Sequence, residues 1–303
     1  MAVSIFLILL SYVGRALRWQ AMLRPLGRPI GLWRLTSDTL IGATAGLLLG
    51  RVGEVVRPYL ISVQTGLPIS SQAAAWFLER VLDLLALLLL CGFAFIRIPT
   101  GNWQGGAGVE YALKAGGYSL ASTGLVCLTL LFAFRDPNGW AKRRILSALN
   151  FVHEHHQFRL VKIMDAFSQG LECTRKAESL IVLLAYTALE WAVIVVGSLT
   201  MFRSFVATRD FGIIQVLVVV AFMSLGGLIQ LPGIGGGVQA ACIVALTRIY
   251  GISLETASGV ALMVWFFGSF CVVPFGVAGA FHEGLNWGKL KLLSTKQILD
   301  QEA

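Results

Sequence analysis

Long apolar runs separated by short polar or glycine-rich links dominate the chain. A helix rises about 1.5 Å per residue, so a run of about 20 apolar residues crosses a hydrocarbon core about 30 Å thick. On that basis, spans are expected at about 2–23, 73–96, 115–134, 180–202, 211–231 and 256–281. The run 35–49 is too short for a crossing and reads as half of a broken hairpin. The chain returns through 55–63 to a turn at Gly66-Leu67-Pro68. A second break follows the 211–231 run and leads into a short helix that ends near Tyr250.

The two breaks share a chemistry. The first, Leu47 to Ile61, sets Gly50, Gly53 and Pro58 among Arg51, Glu54 and Arg57. The second, Ile229 to Leu246, holds Gln230, Pro232, Gly233, Gly235, Gly236, Gly237 and Gln239. In lipid, a broken backbone persists only where protein or a wet cavity satisfies its N–H and C=O groups. One such break per half is the sequence sign of a transport site near the bilayer midplane. Gly50-x-x-Gly53 parallels Gly233-x-x-Gly236, and a short apolar helix and a second turn at Gly66 or Gly251 follow each. An inverted repeat is the expectation.

Composition agrees with the pattern. Of 303 residues, 56% are hydrophobic and only 13% charged, against roughly 25% charge in a soluble domain. The fold class expected is an all-α polytopic membrane protein with about six full spans and two broken, re-entrant hairpins. It forms one transmembrane domain over 1–303. Its parts are a first half at about 1–134, a basic amphipathic loop at about 135–178, a second half at about 179–285 and a tail at 286–303. This length leaves no room for a separate soluble enzyme domain. The first ten residues lack a basic leader and read as the start of a span, which suggests a native helix longer than the one that begins here.

The net charge of +8 gathers at Arg15 to Arg34, in the 135–178 loop and in the tail at Lys289, Lys291 and Lys296. Basic loops stay cytoplasmic, so the 135–178 loop and the C-terminus are expected inside, with 97–114 and 203–210 outside. The two breaks then run antiparallel, as an inverted repeat requires. Arg15, Arg18 and Trp19 read as an interfacial anchor after the first span. A grip on anionic headgroups is the sharper reading of the same basic clusters. Nucleic acid is not expected, since the clusters sit beside spans and no recognition motif appears. Five dispersed cysteines form neither a disulfide framework nor a zinc site.

Charges inside apolar sequence mark the candidate chemistry, because charge at depth is costly. Arg51, Glu54 and Arg57 lie in the first break, where they either sit at a hairpin tip among headgroups or line a cavity. Glu79, Arg80 and Asp83 open the 73–96 span, with Glu79 and Asp83 on one helix face. Arg51 or Arg57 is their expected partner, either as a structural staple or as the wall of a substrate path. Glu190 stands alone ten residues into an apolar span, either protonated or paired with an arginine. Gln230 and Gln239 offer uncharged groups beside the second break, whose glycines allow close backbone approach. His153-Glu-His-His156 lacks zinc-protease spacing and reads as a solvated loop. No metal, cofactor, nucleophile motif or phosphate loop is expected.

Several of these segments together resemble one family. Arg15-Ala-Leu-Arg18-Trp19 is similar to its Arg-x-x-Arg-Trp signature, and Gly50-Arg-Val-Gly-Glu-Val-Val-Arg57 to its Gly-Arg-x-Gly-Glu-x-x-Arg motif. Glu79-Arg-Val-Leu-Asp83 resembles its Glu-Arg-x-x-Asp, and Leu231-Pro-Gly-Ile-Gly235 its second Pro-Gly turn. The family is the transmembrane region of lysylphosphatidylglycerol synthases, also called flippase-like. Its second turn carries a glutamate where this chain has Gln239. The resemblance implies a helical domain with two re-entrant hairpins that moves lipid between leaflets. It implies a member without the aminoacyl-transferase domain, and therefore no enzyme. Cargo among phospholipid, hopanoid and polyprenyl-linked lipids stays open. A bacterial inner membrane, and a homo-oligomer or an envelope-assembly partner, complete the expectation. The alternatives are an accessory subunit of such an assembly complex and a membrane enzyme acting on headgroups.

Overall fold

Apolar runs this long can satisfy their backbone groups in lipid only as helices, and helices are what form. The computed structural model describes residues 1–24, 30–98, 106–133, 177–227, 230–231 and 235–283. The first half contains α1 (Ala2–Leu23), α2 (Leu32–Leu49), a 3₁₀ turn (Gly50–Val55), α3 (Val56–Thr65), α4 (Ile69–Ile96) and α5 (Gly106–Ala133). The second contains α6 (Ala177–Phe202), α7 (Ile213–Gly226), a small ladder of β1 (Gln230–Leu231) with β2 (Gly235–Gly236), α8 (Gly237–Val244), α9 (Leu254–Phe270) and α10 (Val273–His282). The ladder is antiparallel, pairing Gln230 with Gly236 and Leu231 with Gly235. The protein is an all-α polytopic membrane protein.

Among the described residues, four stretches are long and apolar enough to cross a membrane: Ala2–Leu23, Glu110–Phe132, Ser179–Phe202 and Leu254–His282. The fourth combines α9 and α10, which Cys271 and Val272 separate just before Pro274. Proline has no N–H for the ladder and crowds the preceding turn, so the helix restarts there. At 28 residues α4 is also long enough, although Glu79, Arg80 and Asp83 interrupt its apolar surface. The run expected as a full span at 211–231 differs. Its helix, α7, has 14 residues and ends at Gly226, about 21 Å at the helical rise. It forms one arm of the second hairpin. Helix α4 starts four residues before the expected Ala73, which moves Glu79 a further turn from the helix end.

Each break folds the chain back on itself. Gly50 takes φ 69° and ends α2, a conformation that glycine adopts without steric cost. Gly42 of α2 then faces Arg57 of α3 so closely that a Cβ there would lie 2.7 Å from the arginine's Cβ. In the second hairpin Gly236 takes φ 62°, and a Cβ on Gly226 of α7 would come within 2.6 Å of Ala241 on α8. Helix α3 ends at another left-handed glycine, Gly66, and α8 runs on through a π-helical turn (Ala245–Ile249) to a left-handed Gly251.

Helix α1 packs along α6, α2 against α10, and α7 against α4. One buried cluster joins α1, α4 and α6 around Trp19, Met22, Leu78, Leu82 and Leu183. A larger one gathers α4, α7, α8 and α9 around Ala94, Val216, Val218, Cys242 and Ala257. Ile41, Ala45, Val56 and Leu60 seal the first hairpin. Between these apolar clusters lies the charge.

Candidate functional site

Four helices bring charged side chains to one place. Arg15 and Arg18 project from α1, Arg57 from α3, Glu79 and Asp83 from α4, and Glu190 from α6. The three-residue step on α1 and the four-residue step on α4 each keep both side chains on one face. Arg18 is the hub and is fully buried. It donates to Glu79 at 2.8 Å, to Asp83 at 2.7 Å and to Thr187 Oγ1 at 3.1 Å, with Glu190 3.4 Å away. Arg15 donates to Glu190 at 2.8 Å. Arg57 donates to both oxygens of Glu79 at 3.1 and 3.2 Å and to the backbone carbonyl of Arg15 at 3.4 Å. Its guanidinium also lies 4.0 Å above the ring of Trp19.

Three arginines and three carboxylates make this network formally neutral. That balance lets it survive burial, since an isolated ion in low dielectric would be strongly disfavoured. Among the two expected partners of the α4 carboxylates, Arg57 pairs with Glu79, whereas Asp83 pairs with Arg18. The Arg51 side chain lies outside the described residues. Glu190 is paired with arginines, one of its two expected states.

The interfacial-anchor expectation for Arg18 and Trp19 is corrected. Their relative exposures are 0% and 1%, so both lie in the protein interior instead of among headgroups. Helix α1 packs against α2 and α6 there, which turns that face inward. Only Arg15 keeps partial exposure. Two signals in the sequence pointed to the interior: Arg15 and Arg18 share a helix face, and three carboxylates elsewhere needed cations.

A cavity of about 240 Å³ adjoins the network. Arg15, Glu54, Arg57 and Arg80 supply its charged wall, and Tyr12, Thr39 and Ser269 add hydroxyls. It lies between the first hairpin, α1, α4 and the end of α9. Arg80 is exposed and sits 5.9 Å from the ring centroid of Trp76. Arg57 Nε is buried and has no partner among the described residues. The wall can therefore offer donors to an anion and, through Glu54, an acceptor to a cation.

A second cavity, of about 560 Å³, lies between α4, α5, α6 and α7. Leu85, Leu89, Leu184, Trp191 and Val195 make it apolar, and Thr187 links it to the network. None of its lining residues lines the first cavity.

The remaining sequence candidates fall elsewhere. Gln239 lies half-buried on α8, outside both cavity linings. Gln230 and Gly235 are placed only by their backbones, and Pro232 and Gly233 lie outside the described residues. So do the 153–156 histidine cluster, the rest of the 135–176 segment and the tail from 284. Sequence reasoning missed Asp38, Gln64 and Glu283, which the fold brings together. The missed signal was Asp38 itself, one carboxylate inside the apolar run 35–49.

No curated protein and no solved structure matches the chain. The family model described as the lysylphosphatidylglycerol synthase TM region matches residues 1–276. That span carries the arginine pair of α1, the glycine-centred first hairpin, the α4 carboxylates and the second glycine turn, and the chain belongs to this family of membrane proteins.

Proposed function

We propose that this protein is a lipid translocator and not an enzyme, and that a polar headgroup passes through the 240 Å³ cavity while its tails stay apolar. The observation that carries this reading is the cavity wall. Arg15, Arg57 and Arg80 face it together with Glu54, so phosphate-type anions and zwitterions both find complementary groups. The volume is below the roughly 300–1,000 Å³ of sites that enclose a drug-sized ligand, which suits a headgroup without its chains. The apolar cavity beyond the network offers chemistry suited to a lipid tail. The buried ion pairs hold Arg15 and Arg57 in place, so that part of the wall needs little ordering when cargo arrives.

An inverted repeat supports the same reading. If α1 to α4 correspond to α6 to α10, the α2–α10 and α4–α7 contacts are the reciprocal pair such a repeat demands. Each break holds one left-handed glycine, Gly50 or Gly236, and another, Gly66 or Gly251, follows the short helix after it. Both hairpins would be re-entrant, with the C-terminus cytoplasmic in a bacterial inner membrane. Cargo would be a phospholipid, hopanoid or polyprenyl-linked lipid.

The test is leaflet exchange in liposomes. Purified protein is expected to accelerate exchange of at least one labelled anionic, zwitterionic or polyprenyl-linked lipid. Arg80→Ala and Glu54→Ala are expected to abolish that exchange with folding retained. If folded protein moves none of the panel faster than empty liposomes do, the accessory-subunit reading replaces this one.

A further inference from the structure

A second buried acidic site lies apart from the arginine network. Asp38, on α2, is fully buried. Its Oδ1 accepts from Gln64 Nε2 of α3 at 3.0 Å, and the same nitrogen donates to Glu283 Oε2, just past α10, at 3.1 Å. One amide nitrogen thus bridges two carboxylates. Asp38 forms no ion pair among the described residues. The nearest cation on its own helix, Arg34, is 63% exposed and lies 3.9 Å from Glu283. The charged groups felt at Asp38 are Glu283 from α10, Arg34 from α2 and Arg57 from α3. Arg57 is already held by Glu79.

The hydrogen-bond inventory identifies what is missing. Asp38 Oδ2 and Gln64 Oε1 are both buried and without a donor among the described residues. Both are acceptors, so the cluster lacks a hydrogen-bond donor among the described residues. An unpaired buried carboxylate is also disfavoured by desolvation and by a neighbouring carboxylate. A metal ion is a poor fit. A calcium ion takes six to eight oxygens and magnesium a near-ideal octahedron, and among the described residues no group of three or more metal-ligating side chains assembles.

We propose that Asp38 and Glu283, bridged by Gln64, form a proton-binding site that holds one proton between them, chiefly on Asp38. The proton on Oδ2 converts an unsatisfied acceptor into a donor and removes one of two facing negative charges. Loss of the proton sets two carboxylates against each other where α2, α3 and α10 meet. Those elements include one wall of the headgroup cavity, so protonation biases the packing of the first hairpin. That this bias gates lipid movement rests on the translocator reading; the proton site itself does not.

Infrared difference spectroscopy of the full chain in lipid nanodiscs, stepped in pH, tests the site. The wild type is expected to show a protonated-carboxyl C=O band that disappears as pH rises. Asp38→Asn is expected to remove that band. Glu283→Gln is expected to keep it and to raise the fraction ionised at a given pH, because the repelling charge is gone. A wild type with no titrating band, or a band unchanged in Asp38→Asn, overturns the proposal. If Asp38→Asn fails to fold, an unmoved midpoint in Glu283→Gln does the same. Displacement of the band by sodium at fixed pH would assign a metal cation instead and also overturn it. No lipid cargo enters this measurement, so its failure leaves the exchange result intact, and failure of exchange leaves the proton site intact.

Discussion

Arg18 shows how one residue can organise a membrane domain. It is fully buried, and three carboxylates and Thr187 surround it. Removing one member of a buried ion network strands the others, at a cost of about 3–5 kcal/mol. Arg18→Met is therefore expected to destabilise the protein by that order, read as a fall in thermal unfolding temperature in detergent. Arg80 differs, because it lines the cavity from an exposed position. Arg80→Ala is expected to leave the unfolding temperature within about 0.5 kcal/mol equivalent while lipid exchange is lost. Arg57 and Asp83 do not touch, yet Glu79 and Arg18 connect them. Alanine substitutions at both are expected to be less than additive, with coupling of about 0.5–3 kcal/mol. Additive losses in a double-mutant cycle would show two separate sites.

At the scale of elements, the hairpins depend on missing side chains. Gly42 allows α3 to lie against α2 at Arg57, and a Cβ there would come within 2.7 Å of the arginine's own Cβ. Gly42→Val is expected to push the arms apart, costing about 1–3 kcal/mol as overpacking does. The same substitution should weaken exchange more than Gly31→Val, since a Cβ on Gly31 meets nothing within 4 Å. Equal effects at the two positions would mean that hairpin closure is unimportant. Most of this level was legible. Glycines, proline and charge inside an apolar run mark a break, because each is unfavourable in an uninterrupted lipid-facing helix. The reading failed at 211–231, where the apolar run continues past Gly226 and Gly227 into the ladder. Hydropathy does not register the end of a helix when the residues that follow it in sequence, here Leu228 and Ile229, are as apolar as the helix itself.

For the whole molecule, orientation is the property most open to test. The basic asymmetry of the loops predicts that a single cysteine at Asn102, in a background without native cysteines, is labelled by an impermeant thiol reagent in intact cells. A cysteine in the 135–178 loop is predicted to be shielded. External labelling of that loop would reverse the orientation and remove the antiparallel relation between the two hairpins.

The sequence by itself determined that the chain is a helical membrane protein, where its helices break, and which charges stand in apolar surroundings. Those properties follow from local chemistry: lipid demands satisfied backbones and penalises charge wherever the chain later folds. Family membership was legible for the same reason, since Arg15 to Trp19, Gly50 to Arg57 and Glu79 to Asp83 are short contiguous motifs. Only the tertiary structure decided the partners. Arg18 was legible as a charge near a helix end, but the packing of α1 against α6 and α4's carboxylates made it a buried hub. Asp83 pairs with Arg18 of α1, whereas Arg57 of the first hairpin pairs with Glu79, one turn earlier on α4. Asp38, Gln64 and Glu283 meet only because α10 returns against α2. An ion pair or shared proton depends on distances of a few ångströms between helices far apart in sequence, and periodicity along one helix contains no such information.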